Sequence, residues 1–482
     1  MRMHWAAILA LSAVLHGCTQ PQKTGLAAVS DAMGATKLTS IEYSGSGSNF
    51  GFGQAYLPGD PWPRFHQVSY DVAIDYQAPA MRIDAVRAQA ETPPHGGAAQ
   101  PVAGEQRTVQ FVSGKSAWNQ NGNDTAPAPE AVNDRTRQLW VSPHGIVKAA
   151  LANGGTLDGK IISVKIGGRD VKATLDDQNL VEKVSFLNTN EVIGDYPVEI
   201  VYSDYADFGG VKFPTHIVQT EDGHPTLDVI IHDVRPNGAP AMPAPVNVAN
   251  APPPGPPTVT MDKLADGVWY VNSDGARSWA VEFKDYVVVV EGIGREARSL
   301  AVNEAIAKQI PNKPIKYVIN THAHYDHAGG LRTYVAQGAT VVTHETNRAF
   351  FLQAWARPRT LAPDLLSKSP KEPTFETVTE KKVMTDGAKT IEIYHLIGGH
   401  NGANLLVFMP KEGLIFWGDG YNPPAGADPR DFGRTPEYGI DLYRNITQLN
   451  LNVKTIAPAH GSGAKPFDNL KKAIGIIPVA VE

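Results

Sequence analysis

The stretch "NTHAHYDHAGG", residues 320–330, sets three histidines and an aspartate within six positions of a 482-residue chain that has fifteen histidines in all. An apolar run, "IKYVIN", precedes it and "GGLRTYVAQ" follows, so it reads as a loop leaving a strand and entering a short helix. His322 and His324 are two apart. In extended backbone, residues at i and i+2 project to the same side, so both imidazoles reach one metal. Asp326 and His327 lie where the loop turns into the helix and face a second metal beside the first. Imidazole and carboxylate at this density suit zinc, with iron and manganese as the other candidates.

One loop cannot fill two coordination spheres. Downstream, three further candidates each follow an apolar run: His400 in "YHLIGGHNGANLLVF", Asp419 in "LIFWGDG" and His460 in "TIAPAHGSG". Ligands at strand ends present rigid side chains to a shared cleft. Gly418 and Gly420 flanking Asp419 read as a tight turn. His344 and His395 are expected to be structural. Tyr325, Tyr421 and Asn422 adjoin the metal loops in sequence and are candidates for substrate contact.

This set resembles the metallo-β-lactamase superfamily of hydrolases. Its His-x-His-x-Asp-His signature is matched by His322, His324, Asp326 and His327, and the three downstream residues occur in the family's order. The resemblance spans residues 258–482. It implies a four-layer αββα sandwich, with one metal on His322, His324 and His400, a second on Asp326, His327 and His460, and Asp419 bridging. It further implies a dinuclear centre, zinc first, whose hydroxide bridges ions ~3.5–4 Å apart, with Asp326 as the catalytic carboxylate. Aspartate at 419 sets aside the β-lactamases that use a cysteine ligand. It favours the lactonase, glyoxalase II, sulfatase or phosphodiesterase branches. The expected activity is therefore hydrolysis of a small ester, lactone or amide. The rivals are β-lactam hydrolysis proper and an iron-dependent oxidoreductase of the persulfide dioxygenase kind.

Upstream, the pattern is β-rich. In "QVSYDVAIDY", Val68, Tyr70, Val72, Ile74 and Tyr76 alternate with other residues, the period of a half-buried strand. "IISVKIGGRDVKATLDD" reads as a hairpin with Ile162, Val164, Ile166, Val171, Ala173 and Leu175 on one face. A helix is expected over residues 136–152, split at Pro143. Residues 91–105 read as a flexible loop. This mostly antiparallel domain, residues 30–235, resembles the open half-barrels of periplasmic lipoprotein carriers. Its six histidines, His66, His95, His144, His216, His224 and His232, lack ligand spacing. Residues 236–257, dense in proline, read as a semi-rigid spacer, and residues 353–375 as a source of substrate contacts.

The formal charge of −6, with no long basic run, gives no electrostatic footing for nucleic acid. A small-molecule substrate is the expected partner. The single cysteine, Cys18, excludes an internal disulfide. It follows a basic start and a short apolar run, the form of a signal peptide over residues 1–17. Leu15-His16-Gly17-Cys18 resembles the lipobox of bacterial lipoproteins, although His16 departs from it. That resemblance implies a lipid anchor on Cys18 and a periplasmic, outer-membrane location.

Overall fold

The computed structural model describes residues 24–426, 428–430 and 435–478. The signal segment and Cys18 lie outside these residues. Among the described residues, no helix is long and apolar enough to cross a membrane.

The first half is one antiparallel sheet of thirteen strands. Its first strand, Ser40–Phe50, pairs with its last, His224–Pro236, at the centre of the sheet. From that seam the chain meanders out to an edge at Asp124–Pro127, crosses through two helices, and returns from the other edge at Thr156–Asp158. Helices Val132–Trp140 and Pro143–Ala152 are divided at Pro143, which starts the second one. Proline fits there because the first turn of a helix has no partner for its missing N–H. Together with Gly25–Ala32, these helices bury Val29, Leu139, Ile146 and Val147 against one face of the sheet. The six hairpin residues from Ile162 to Leu175 share that core.

Two expectations need correction here. Val68 does not join Tyr70, Val72 and Ile74 inside; it is exposed, and Gln67 is buried instead. A bulge between Gln67 and Ser69 shifts the pairing with Ala80–Gln89 and turns the alternation over. Gln67 tolerates burial because its amide donates to the carbonyls of Ser69 and Val86. The proline-rich segment, expected to be a semi-rigid spacer, packs against the first domain instead of standing clear of it. Met242 packs on Ala73 and Ala80, Val248 is buried, and Asn247 bonds to Thr125. Its few apolar side chains give it something to bury, so it lies along the first domain.

Beyond Val259 the architecture is layered. Four antiparallel strands, Val259–Ala265 to Val287–Val290, continue into the parallel strands Ile315–Ile319, Thr340–His344 and Phe375–Val378. Val287–Val290 is buried on both faces, as expected of a strand between two layers. A six-stranded sheet, Lys381–Thr385 to Lys465–Pro466, faces this one. Val288, Val290, Ile319 and Val342 meet Ile393, Leu405, Val407 and Phe416 between them. Helices Glu296–Gln309 and Leu331–Ala336 pack outside the first sheet, and Glu437–Gln448 and Phe467–Ala473 outside the second. This is the αββα sandwich that the resemblance implies.

The two halves are bonded together. Arg357 makes a bidentate pair with Asp222 at 2.7 and 2.8 Å. Arg359 donates to the carbonyls of Asn190, Glu191 and Val192, and Thr360 donates to Asp195. Within residues 353–375, Arg357, Arg359 and Thr360 therefore fasten the domains together.

Candidate metal centre

The histidine loop leaves strand Ile315–Ile319 and is pinned from within. Asn320 donates to the carbonyl of His322 at 2.7 Å and accepts from the Thr343 hydroxyl. His322 Nε2 then lies 3.0 Å from His324 Nδ1 and 3.2 Å from His400 Nε2. These three rings form one cluster. In the second, His327 Nε2 lies 3.1 Å from His460 Nε2 and 3.3 Å from Asp326 Oδ2. The Asp419 carboxylate stands between the two. Its Oδ2 is 3.2 Å from His327 Nε2 and 3.3 Å from His400 Nε2, while Oδ1 is 3.4 Å from His460 Nε2. All seven residues singled out in the sequence converge at this point.

The outward-facing atoms decide what the inward ones can do. Glu291, fully buried at the end of Val287–Val290, accepts from Thr321 Oγ1 and lies 3.1 Å from His327 Nδ1. Having donated its proton to Glu291, the Thr321 hydroxyl accepts from His322 Nδ1, 2.9 Å away. His324 Nε2 donates to the Ala55 carbonyl at 2.9 Å. In neutral rings, each of these three histidines thus spends its proton outward and points a bare lone pair at its neighbours. The bare lone pairs of His322 Nε2 and His324 Nδ1, 3.0 Å apart, repel unless a cation sits between them. This donor set, imidazole with carboxylate, fits a divalent metal of the zinc type.

The electrostatics agree. Burial, then the neighbouring imidazoles, pushes His322 well below the ordinary histidine range and His324 to about 3. Both rings are therefore neutral and able to ligate. Desolvation would raise the partly enclosed Asp326 and the buried Asp419, but a proton on His327, in the place a metal would take, outweighs it and holds both carboxyls well below their usual range. Burial opposes a proton on His327, yet Asp326 and Asp419 raise its affinity far above normal. A field that holds a proton so tightly also attracts a metal cation.

The chain bends through Gly418, Asp419 and Gly420, and Gly418 meets a steric demand as well. It has no positive φ. A Cβ there would sit 2.9 Å from His322 Cε1 and 3.1 Å from His327 Cε1, so glycine makes room for the imidazoles. Gly420 is likewise a packing residue, against the Trp417 ring.

The neighbours in sequence separate in space. Asn422 Nδ2 lies 3.4 Å from Asp419 Oδ1 and faces the opening. Tyr421 turns away to Asn469. Tyr325 packs edge-on against Phe52 in the domain interface. His344 and His395 pair with each other, ring centroids 4.5 Å apart, outside both clusters. His95 stacks edge-on against Tyr56, and His224 lies against Trp62, both near the domain interface.

Sequence reasoning missed three contributors. Glu291 left a trace, as a lone acid after four valines. Gln54 and Ala55, from the first domain, left none. Gln54 Nε2 donates to Asp326 Oδ1 at 2.8 Å, and its Oε1 accepts from the Ala98 N–H at 2.9 Å. Residues 91–105, expected to be flexible, are fixed here. Gly96 donates to the Gly399 carbonyl and accepts from the Tyr438 hydroxyl. Gly97 lies so close to His324 that a Cβ would approach its ring to 2.8 Å. The centre opens into a cavity of about 450 Å³ lined by Gln54, Ala98, Asp326, Asp419, Asn422 and His460. A second cavity, of about 440 Å³, reaches Asp326 from the side of Glu191 and Arg295.

Residues 273–460 match the family model of the metallo-beta-lactamase superfamily. The beta subunit of 2,4-dinitroanisole O-demethylase from Nocardioides sp. (strain JS1661) is 26% identical over 157 residues, 33% of this chain and 46% of that protein. The alpha subunit from the same organism is 22% identical over 165 residues, 34% of this chain and 46% of that protein. The chain thus spans about half the length of the curated relatives it matches. Among solved structures, a metallo-beta-lactamase from Pontibacter korlensis is 21% identical, with a TM-score of 0.33. The match covers 45% of this chain and 98% of that one.

Proposed function

We propose that this protein, whose residues 273–460 match the family model of the metallo-beta-lactamase superfamily, is a metal-dependent hydrolase of a small ester, lactone or amide. In this reading His322, His324 and His400 hold one divalent ion, and Asp326, His327 and His460 hold the other. The supporting observation is the shared carboxylate: Asp419 approaches nitrogen atoms of both clusters within 3.4 Å. When bound, such a metal pair supplies water that ionises near neutral pH and a Lewis acid for the substrate oxygen.

The chain's residues do the rest. Glu291 and Thr321 hold the imidazoles in the ligating tautomer. Asp326, with its side chain 44% exposed, is the carboxylate that opens onto both cavities. It takes the proton released as water adds to the substrate and returns it to the leaving group. Asn422, beside Asp419 at the opening, is placed to donate to a substrate oxygen. The proposal includes export as a lipoprotein anchored through Cys18 and a small-molecule substrate, with no role for nucleic acid.

Elemental analysis of the purified protein, followed by a turnover screen, tests this. The panel holds esters, lactones, amides and β-lactams. It also holds aryl methyl ethers, because the curated relatives are named as subunits of a 2,4-dinitroanisole O-demethylase. About two zinc ions per chain, with hydrolysis lost on chelation and restored by zinc, is the expected result. One iron per chain with oxygen uptake would replace the hydrolase by an oxidoreductase.

A further inference from the structure

The domain before the sandwich reaches into the metal centre. Segment 53–56 crosses it, with the Gly53 carbonyl accepting from Tyr325 N–H, the Ala55 carbonyl from His324, and the Tyr56 carbonyl from Gly402 N–H. Among the described residues, Gln54, between them, is the one side chain of that domain bonded to an atom of the second cluster.

We propose that Gln54 is a positioning residue for the second metal, so that the first domain completes a centre whose ligands all come from the sandwich. The inference rests on the two-metal reading above. Three observations support it. The amide is held by both ends, since its Oε1 is fixed by the Ala98 N–H and its Nε2 must therefore face Asp326. It occupies Oδ1 and leaves Oδ2 directed at His327 and His460, 3.3 and 3.4 Å away. Asp326 also has the greatest need of such a tether. Its side chain is 44% exposed, whereas those of His327 and Asp419 are 0% and 10% exposed. A carboxylate open to water rotates between ligating and solvated positions unless a second bond holds it. Hydrogen-bond partners of metal ligands characteristically change metal affinity by about 10–100-fold when removed.

The action is selective. Among the described residues, the first cluster's hydrogen bond to the same segment is to the Ala55 carbonyl, which no side-chain substitution at 54 removes. Gln54→Met keeps the length and bulk of the side chain and deletes both hydrogen-bonding groups. It should weaken the second metal step by about 10–100-fold and leave the first unchanged.

The test is titration of the full-length, metal-stripped protein with Co2+, read by visible absorption and by calorimetry. Wild type, Gln54→Met and Thr360→Val are compared. Thr360→Val removes a side-chain hydrogen bond between the domains, to Asp195, that involves none of the seven metal-centre residues. The expected result is two binding steps in wild type and in Thr360→Val, with only the second step weakened in Gln54→Met. Two steps of unchanged affinity in Gln54→Met would overturn the positioning role while leaving the dinuclear reading intact. Equal weakening of both steps, shared by Thr360→Val, would overturn it in favour of general domain docking. A single step in wild type would overturn the two-metal reading and this inference with it.

Discussion

Both halves of the molecule bury histidine completely, and to opposite ends. His144, under the thirteen-stranded sheet, is 0% exposed, as is His322 in the sandwich. His144 donates Nε2 to the Met33 carbonyl, stacks on Phe213, and its Nδ1 has no partner in the structure. His322 donates Nδ1 to Thr321 and turns its Nε2 onto two other ring nitrogens. Burial and a backbone or side-chain bond are common to both. What separates a packing histidine from a ligand is the company of its second nitrogen. Spacing in sequence reports that company only when the ligands share a loop.

This contrast can be tested in order of effect. Asp419→Ala removes the carboxylate common to both clusters while leaving the strands around it intact. Turnover should fall by roughly 10³-fold or more, given the several kcal/mol that metal polarisation contributes, and metal content should drop by at least one ion. Retention of two metals and full rate would refute the bridging role. Glu291→Gln is the next largest. It preserves shape and removes the charge that orients His327 and, through Thr321, His322. Metal affinity or activity should decline by about 10–100-fold, read by competition with a chelator.

The third prediction concerns His144 and pH. Burial first, despite its bond to Met33, lowers its folded value to about 4, against 6.5 for an ordinary histidine. Between those values the unfolded chain binds more protons, so stability is full above pH 6.5 and falls as pH drops toward 4. The loss reaches about 3 kcal/mol. Denaturant midpoints across that window should show it, and His144→Gln should flatten the slope. The smallest effect belongs to His344→Ala. His344 accepts from Thr346 N–H and caps helix Glu345–Trp355. The variant should keep its metals and lose at most about 1 kcal/mol of stability. Loss of a metal would place His344 in the centre.

Legibility followed the same divide. The sandwich could be read because its ligands are side chains of rare type, set at the ends of strands whose apolar runs are long. The hairpin from Ile162 to Leu175 could be read because its alternation is unbroken. Val68 could not, since a bulge reverses a face without altering composition. The contribution of Ala55 was invisible for a simpler reason. A carbonyl is present at every position, and only the fold decides which one meets His324. Gln54 is one glutamine in a glycine-rich loop, with nothing nearby to mark it.

The seam at the middle of the large sheet has a consequence for how the molecule comes together. Thr39 bonds to Asn237 across 198 positions of chain, and Ala55 to His324 across 269. Contacts so distant in sequence are slow to form, because long loops must close before any bond offsets the entropy. The order of synthesis adds a second delay, since segment 53–56 emerges early and waits for the sandwich to follow. The contacts between that segment and the histidine loop are therefore among the last to form. In the two-metal reading, full-affinity uptake of the second metal, which depends on Gln54, should accordingly trail the folding of either half, and its time course would serve as a clock for the docking of the two.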